Sequence, residues 1–243
     1  MKKGIAIFLL GVMALGATAC GSNVSHGMQN SVAESQQVEQ SEGSEETAKQ
    51  ETTRQVEAGK TLVVYFSRMG NMDKDTDLDA IASASINLDN GEYVGNVGLM
   101  ANYIAEKVNA EDVILIKTAE PYSSNYDETV EKGEGQNQNN IHPELDMEID
   151  NLDAYDTVFL GYPIWNYTIP VAVASFLEQY DLSGKKVVLF GSSGGSSIES
   201  TIETVEKCQP DAQVTGGLTI RHSNILNADR NSTIDAWLNE LGY

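Results

Sequence analysis

The stretch Asp156-Thr-Val-Phe-Leu-Gly-Tyr-Pro-Ile-Trp-Asn-Tyr-Thr-Ile-Pro170 decides how this chain folds. Its first half is an apolar run without a polar break, which is typical of a strand buried on both faces of a parallel sheet. Pro163 has no N–H to donate, so we expect the ladder to end there. Trp165 then lies just past the carboxyl end of the strand, where ligands bind in open α/β sheets. Two interpretations of Trp165 are open: it contacts a flat ligand, or it caps the core.

Strand and helix patterns alternate on both sides of this stretch. Short runs rich in β-branched and aromatic residues predict five strands, at residues 61–66, 112–117, 157–162, 185–190 and 213–220. Apolar residues at helical spacing predict helices at residues 97–108, 171–179, 198–207 and 229–241. Such alternation implies an α/β fold, in which a parallel sheet is covered by helices on both faces.

Two long segments interrupt the alternation. Residues 69–95 separate the first strand from its helix, where about two to six residues would be usual. Connections of that length are mostly functional or disordered, and we expect this insertion to fold over the edge of the sheet. The second segment, residues 120–151, is predicted to carry a short helix around residues 127–131 and then to wrap the surface.

Charge and composition narrow the possible partners. The 243 residues carry a formal net charge of −21, so nucleic acid is excluded as an expected partner and an anionic membrane surface would repel the protein. With 41% hydrophobic residues, the chain can form one full-sized domain with a core.

The N-terminus resembles a bacterial lipoprotein signal. Lys2 and Lys3 form a positive n-region, residues 5–15 form an apolar h-region, and small residues lead to Cys20. We therefore expect lipidation at Cys20 and a location at the cell membrane, on its extracytoplasmic face and held by the lipid anchor only. An ordinary secretory signal with a chance cysteine is the alternative.

This signal sets the expected domain boundaries. Residues 1–19 are predicted to be the signal peptide. Residues 20–59 are rich in Ser, Gln, Glu and Thr, so we expect a disordered acidic tether. Residues 60–243 are predicted to be the folded domain. Within that domain Cys208 lies on a helical pattern, and we expect a small buried apolar side chain rather than a reactive thiol.

Three unusual loops follow the first, third and fourth predicted strands. Ser67-Arg-Met-Gly-Asn71, together with Gly95-Asn96-Val97 at the start of a helix, offers a hydroxyl, glycines and a helix N-terminus, which favour an anion. Pro163-Ile-Trp-Asn166 supplies the tryptophan. Gly191-Ser-Ser-Gly-Gly-Ser196 lets backbone approach a ligand closely. Each loop alone is also explained by a plain turn, but the carboxyl ends of parallel strands meet at one edge.

These residues resemble the flavodoxin-like family that has Gly-Tyr-Pro-Ile-Trp after the third strand and Ser-Gly-Gly-Ser after the fourth. The resemblance covers residues 60–243. It implies a three-layer sandwich with a five-stranded parallel sheet in the order 2-1-3-4-5, and FMN as cofactor. The cofactor-binding residues that it implies are Ser67, Arg68, Gly95, Asn96, Val97, Pro163, Ile164, Trp165, Asn166, Ser193, Gly194, Gly195 and Ser196. The sequence departs from the family pattern at Val97, usually threonine, at Asn166, and at His142, often arginine.

FMN would carry the redox chemistry, so no catalytic acid–base pair is expected. The acidic domain predicts a low-potential site, and the predicted function is electron transfer or quinone-type or NAD(P)H-dependent oxidoreduction. The expected partners are a redox protein, a quinone or a nicotinamide, and the sequence leaves open which of them acts. No metal site is expected, because His142 and His222 lack partners at ligand spacing.

Two alternatives stay open. Gly191-Ser-Ser-Gly-Gly195 matches the nucleophile elbow of serine hydrolases, with Ser193 as nucleophile, His222 as base and Asp211 as orienting acid. The other alternative is a flavodoxin-fold binding lipoprotein that does not bind FMN, which the loss of a threonine at Val97 would allow.

Overall fold

The computed structural model describes residues 59–73, 78 and 84–243. Within these ranges the chain forms seven strands: β1 (Lys60–Phe66), β2 (Ile86–Asp89), β3 (Glu92–Gly95), β4 (Asp112–Ile116), β5 (Tyr155–Pro163), β6 (Lys186–Ser193) and β7 (Gln213–Arg221). The α-helices of the same ranges are α1 (Asn96–Val108), α2 (Tyr126–Gln138), α3 (Val171–Gln179), α4 (Glu199–Cys208) and α5 (Arg230–Leu241).

The five long strands form one parallel sheet in the order β4-β1-β5-β6-β7. Counted along the chain among these five, the order is 2-1-3-4-5, so the predicted fold class is confirmed. In the register of the sheet, Val63 of β1 lies between Val113 of β4 and Phe159 of β5. From β1 the chain crosses first to β4 on one side of β1 and then to β5 on the other side. This reversal places a topological switch point between β1 and β5. Ligands of open α/β sheets bind beyond the carboxyl ends of strands at such a point.

Both faces of the sheet are buried. Leu62, Val64 and Phe66 pack in the cluster that includes α3 and α4, whereas Val63 packs in the cluster that includes α1 and α5. All four side chains are fully buried. A strand covered on both sides needs apolar residues at every position, which explains the unbroken runs seen in the sequence.

Of two expectations about strand ends, one was wrong and one is confirmed. The fourth sheet strand, β6, ends at Ser193 rather than near residue 190, so Gly191, Ser192 and Ser193 belong to the strand and not to the loop. Strand β5 ends at Pro163, as expected, and its last pair joins Pro163 to Ser192. The backbone N–H of Ile164 donates to the carbonyl of Ser192 at 2.9 Å, because proline removes only its own donor and not that of the next residue.

The second half of the long insertion is ordered as a hairpin. Strands β2 and β3 pair antiparallel, with Asp89 opposite Glu92. Asn90 and Gly91 form the two-residue turn, with φ values of 48° and 88°. Asn-Gly favours this turn because both positions need positive φ. The hairpin leads directly into α1 and so fixes the start of that helix.

The second long segment contains a longer helix than expected. Asn125 caps α2, and its side chain accepts a hydrogen bond from the N–H of Glu128 at 3.0 Å. The helix continues to Gln138, whereas only residues 127–131 were predicted to be helical. Among the described residues, no helix is both long and apolar enough to span a bilayer.

Candidate cofactor-binding site

A cavity of about 570 Å³ opens at the carboxyl edge of the sheet. Its size falls within the range of about 300–1,000 Å³ that is usual for small-molecule sites. Of the residues expected from the sequence, seven line it: Arg68, Ile164, Trp165, Asn166, Gly194, Gly195 and Ser196. The structure therefore brings all three predicted loops to one cavity. Ser67, Gly95, Asn96, Val97, Pro163 and Ser193 lie outside its lining.

Ser67, the residue before the cavity-lining Arg68, carries a buried hydroxyl. It is only 2% exposed, and among the described residues its Oγ has no hydrogen-bond partner. Gly95, at the N-cap of α1, lies against it, since a Cβ built on Gly95 would come within 2.4 Å of that Oγ. A buried hydroxyl without a partner is costly, and a phosphate oxygen would satisfy it.

The other residues at the start of α1 point inward. Val97 is fully buried and packs in the core beside Ile104. Asn96 is also fully buried, and its Nδ2 donates to the carbonyl of Ala84 at 2.9 Å. These two side chains therefore hold the helix start in place. Contact of Asn96 and Val97 with a ligand stays a prediction, and the backbone N–H groups of this helix start are the donors that it would use.

Arg68 lines the cavity but is itself anchored. Its side chain is 1% exposed, and its Nη2 donates to the carbonyl oxygens of Ser123 and Ser124 at 2.9 and 2.7 Å. The guanidinium thus ties the first loop to the segment that enters α2. It also places a positive charge beside the cavity in a domain that is otherwise strongly acidic.

Trp165 forms one side of the cavity and is packed on several sides. Its ring meets Phe66 and Tyr122 edge-on, each with a centroid distance of 5.4 Å and an interplanar angle of 87°. Its Nε1 donates to the hydroxyl of Ser85 at 2.9 Å. The ring packs against the core and also borders the cavity, so the core-cap interpretation is confirmed and contact with a flat ligand stays a prediction.

The turn after Trp165 holds the mouth of the cavity. Trp165 and Thr168 exchange backbone hydrogen bonds of 3.1 and 2.9 Å, which closes a two-residue turn. Asn166 and Tyr167 at its centre have φ values of 47° and 64°. Tyr167 is 79% exposed, so its ring lies at the rim of the cavity although its backbone is in the left-handed region. Tyr162, three residues before Trp165, is instead fully buried, and its hydroxyl bonds the hydroxyl of Thr201 at 2.7 Å.

The glycine-rich loop after β6 is shaped by Ser193. The Ser193 hydroxyl donates to the carbonyl of Ser196 at 2.5 Å and accepts from the N–H of Gly195 at 2.8 Å. The Gly195 N–H is therefore used within the loop. A Cβ on Gly194 or Gly195 would meet no described atom within 4 Å, so this wall of the cavity is open to a close approach.

The geometry is incompatible with the predicted hydrolase triad. Ser193 is fully buried, and both bonds of its hydroxyl serve the turn. Asp211 precedes β7 and His222 follows it, so the nine residues of that strand separate the two. A strand rises about 3.3 Å per residue, which places the proposed acid and base at opposite edges of the sheet.

One whole wall of the cavity was missed from the sequence. Helix α2 contributes Tyr126, Thr129, Val130, Gly133, Glu134 and Asn137 to the lining. Gly133 faces the indole of Trp165, since a Cβ there would lie 3.6 Å from Cε3. Asn125 followed by an acidic first turn is a helix-start signal that could have located this helix. The spacing of the lining residues gives no apolar stripe, so periodicity could not.

Burial keeps the tyrosine beneath the tryptophan neutral. Tyr122 is 1% exposed, and desolvation raises its pKa to about 12. Its hydroxyl donates to Oε1 of Gln136 in α2 at 3.1 Å. Elsewhere, burial raises the pKa of the Cys208 thiol, and Cys208 is partly buried against the core rather than fully buried as expected. His142, the departure from the family arginine, pairs with Glu178 at 2.5 Å.

The fold and site define a flavodoxin-like α/β domain, and comparison with known families agrees. The flavodoxin family model matches residues 93–241, and the chain belongs to this family. FMN is the cofactor of flavodoxins, in agreement with the cofactor that the sequence resemblance implied. No curated protein sequence matches the chain significantly.

Several solved structures are similar to this chain. A protein from Bacteroides eggerthii described as a flavoprotein is 27% identical, with a TM-score of 0.55 over 76% of this chain and 98% of its own. One from Bacteroides uniformis with the same description is 23% identical, with a TM-score of 0.56 over 74% and 98%. A Lactobacillus acidophilus flavoprotein in complex with FMN is 21% identical, with a TM-score of 0.49 over 74% and 99%.

Proposed function

We propose that the domain binds one FMN non-covalently in the cavity between α2 and the three loops. The observation that carries this proposal is the position of the cavity, which borders the ring of Trp165 and lies at the switch point of the sheet. The residues present fit the group. Ser67 offers a buried hydroxyl without a partner among the described residues, and the cavity volume suits a ligand of this size.

The residues around the cavity have distinct roles in this proposal. Trp165 flanks the flavin ring, while Gly194 and Gly195 leave space for its polar edge. Ser67 and the N-terminus of α1 hold the phosphate, because a hydroxyl donor and the positive end of a helix dipole both stabilise an anion. Bound FMN supplies electron transfer, and the chain supplies orientation and electrostatics.

The electrostatics of the cavity favour a low reduction potential. Helix α2 carries Asp127, Glu128, Glu131 and Glu134 against a single lysine, Lys132, and Glu134 lines the cavity. Negative charge nearby makes the addition of further negative charge less favourable, so we propose that the site holds electrons weakly. The buried Arg68 reduces this effect on the side of the first loop.

We propose that the protein works in electron transfer or as a quinone-type or NAD(P)H-dependent oxidoreductase. Its partner is then a redox protein, a quinone or a nicotinamide. The net charge of −21 favours a partner with a basic docking surface, and steering of this kind weakens as salt screens it.

We further propose that the protein is a lipoprotein held at the extracytoplasmic face of the cell membrane. The support is the sequence alone, with Cys20 after a signal-like segment and a polar tether of about forty residues before the domain. These residues lie outside the described part of the structure. A tether of this kind would let the domain reach membrane quinones or neighbouring proteins.

The test is titration of the purified protein with FMN, followed by flavin absorbance and by quenching of flavin fluorescence. We expect saturation at one FMN per chain. Without any change in either signal, the chain would be a binding lipoprotein that lost FMN. A parallel assay with simple esters addresses the hydrolase alternative. Ester cleavage that disappears in both Ser193→Ala and His222→Ala would replace the flavin proposal.

A further inference from the structure

The end of the long insertion reaches into the cavity wall at Ala84 and Ser85. Both residues line the cavity and both are buried, with 7% and 2% exposure. The hydroxyl of Ser85 accepts the indole N–H of Trp165 at 2.9 Å. This bond joins the insertion to the loop after β5, although the two residues are 80 positions apart in the chain.

The backbone around Ser85 is fixed by two other site elements. Its carbonyl accepts from the backbone N–H of Asn96 at 2.9 Å, which continues the pairing of the β2–β3 hairpin. The carbonyl of Ala84 accepts from Nδ2 of Asn96 at 2.9 Å and from the hydroxyl of Ser192. The backbone that carries Ser85 is thus held by α1 and β6, which places the Ser85 hydroxyl as an acceptor for the indole.

The remaining contacts of Trp165 do not fix its ring by themselves. Phe66 and Tyr122 both meet it edge-on, and Gly133 has no side chain to pack on the ring, although a Cβ built there would contact Cζ3 at 3.7 Å. Edge-to-face contacts between aromatic rings tolerate centroid distances of about 4.5–7 Å, whereas the N–H of a tryptophan turned away from water needs an acceptor. The bond to Ser85 is the directional contact of this set.

We infer that Ser85 is a positioning residue of the flavin site: it holds the indole of Trp165 at the angle at which the ring borders the cavity. The inference rests on the proposed flavin site. The end of the insertion at Ser85 then serves the part of the site that holds the flavin ring. In the sequence, by contrast, the insertion directly follows the loop of Ser67, which we assign to the phosphate.

A double-mutant cycle tests this inference. Ser85→Ala removes the acceptor and Trp165→Phe removes the donor while keeping a ring. We expect Ser85→Ala to weaken FMN binding about 5-fold, the size of one net hydrogen bond. In the Trp165→Phe background the same substitution should have no further effect. An equal loss in both backgrounds would show that Ser85 acts elsewhere and would overturn the inference.

Riboflavin provides the matched control ligand because it has the ring but no phosphate. Ser85→Ala should weaken riboflavin and FMN by the same factor, whereas Ser67→Ala should weaken FMN only. If the effect of Ser85→Ala is confined to FMN, Ser85 serves the phosphate and the inference is wrong.

The protein without flavin gives an independent readout. In a Trp237→Phe background, Trp165 is the remaining tryptophan. Ser85→Ala should then reduce the near-ultraviolet circular dichroism of Trp165 and shift its emission to longer wavelength, while Ser85→Thr should restore both signals. Unchanged signals in a folded Ser85→Ala variant would overturn the inference. A wild type that binds neither flavin would instead refute the proposed function, and this measurement would still decide the role of Ser85.

Discussion

Gly95 and Ser67 lie so close together that any side chain at Gly95 would meet the Ser67 hydroxyl. A Cβ there would be 2.4 Å from Ser67 Oγ and 3.1 Å from the Cβ of Met69. The two residues come from different elements, the N-cap of α1 and the loop after β1. Their contact sets the position of the buried hydroxyl that we assign to the FMN phosphate.

Gly95→Ala should therefore impair phosphate binding. The added methyl group forces the Ser67 hydroxyl to move, and a hydrogen bond to a charged group is worth about 1.5–3 kcal/mol. We expect FMN affinity to fall about 10-fold or more while riboflavin affinity stays the same. Isothermal titration with the two ligands measures this difference. A variant that binds FMN as wild type does would remove Ser67 from the phosphate site.

Filling the space above Trp165 should block the cavity. Gly133→Leu places a branched side chain where a Cβ is already in contact with the indole at 3.6 Å, so both FMN and riboflavin should bind much more weakly. Gly135→Leu is the matched control on the same helix, because a Cβ there meets no described atom within 4 Å. Both variants gain about 0.8 kcal/mol in helix propensity, so their stability should not explain a difference in binding. Equal flavin affinity in the two variants would contradict the assigned site.

Removal of the tryptophan ring should cost a stacking contact. Trp165→Ala should weaken FMN binding by about 1–3 kcal/mol, as stacked bases are weakened when their aromatic platform is removed. Quenching of flavin fluorescence should fall in parallel, because the indole no longer flanks the ring. An unchanged dissociation constant for FMN would show that Trp165 has a purely structural role.

The sheet could be predicted from the sequence because its strands are buried on both faces. Val158, Phe159 and Leu160 can belong to no exposed element, and β1 and β6 carry a similar signal. The signal of the edge strand β7 is weaker, because most of its residues are only partly buried. The ends of the strands were harder to predict because each end depends on a single hydrogen bond. Ser192 and Ser193 look like loop residues, yet Ser192 pairs with Pro163 and Ser193 with Arg221 in the sheet.

The site was predictable only where it follows the strands. Trp165 and Gly194 stand directly after β5 and β6, so topology alone brings them together. Helix α2 buries only Thr129 and Gln136 and so lacks the apolar face by which a helix is recognised. Ser85 is one hydroxyl in a long insertion, so nothing in the sequence distinguishes it. Its contact with Trp165 depends on the β2–β3 hairpin, for which Asn90-Gly91 is the sequence signal.

Buried tyrosines should make the protein sensitive to alkali. Desolvation raises the pKa of Tyr122 to about 12, from an ordinary value of 10.0, and raises the pKa of Tyr162 further. The folded state then keeps these protons when the unfolded chain loses them. Stability is full below about pH 10 and falls as pH rises through the folded pKa, with a slope of up to about 1.4 kcal/mol per unit for each group.

Urea unfolding between pH 8 and pH 11 measures this dependence. Tyr122→Phe cannot ionise at that position, so its free energy of unfolding should fall less steeply with pH than that of wild type. Parallel curves for the two proteins would mean that Tyr122 ionises as easily in the folded state as in the unfolded chain.

The proposed anchor gives a prediction about fractionation. Cys20→Ala removes the residue that would carry the lipid, so the protein should leave the membrane fraction or remain as the unprocessed precursor. Immunoblots of membrane and soluble fractions show which occurs. Processing and fractionation identical to wild type would support the ordinary secretory signal instead.

The left-handed backbone at Asn166 and Tyr167 lowers the stability of the domain while it holds an aromatic ring at the rim of the cavity. Non-glycine residues in this region each cost about 1–3 kcal/mol, and the exposed ring of Tyr167 recovers little of that cost by packing. Tyr167→Gly would therefore raise the melting temperature, yet it would strip an aromatic ring from the rim of the cavity. Selection of variants for a higher melting temperature alone should therefore favour substitutions at these two residues, and those variants should bind the ligand more weakly. This turn is the first position to hold constant when the domain is made more robust.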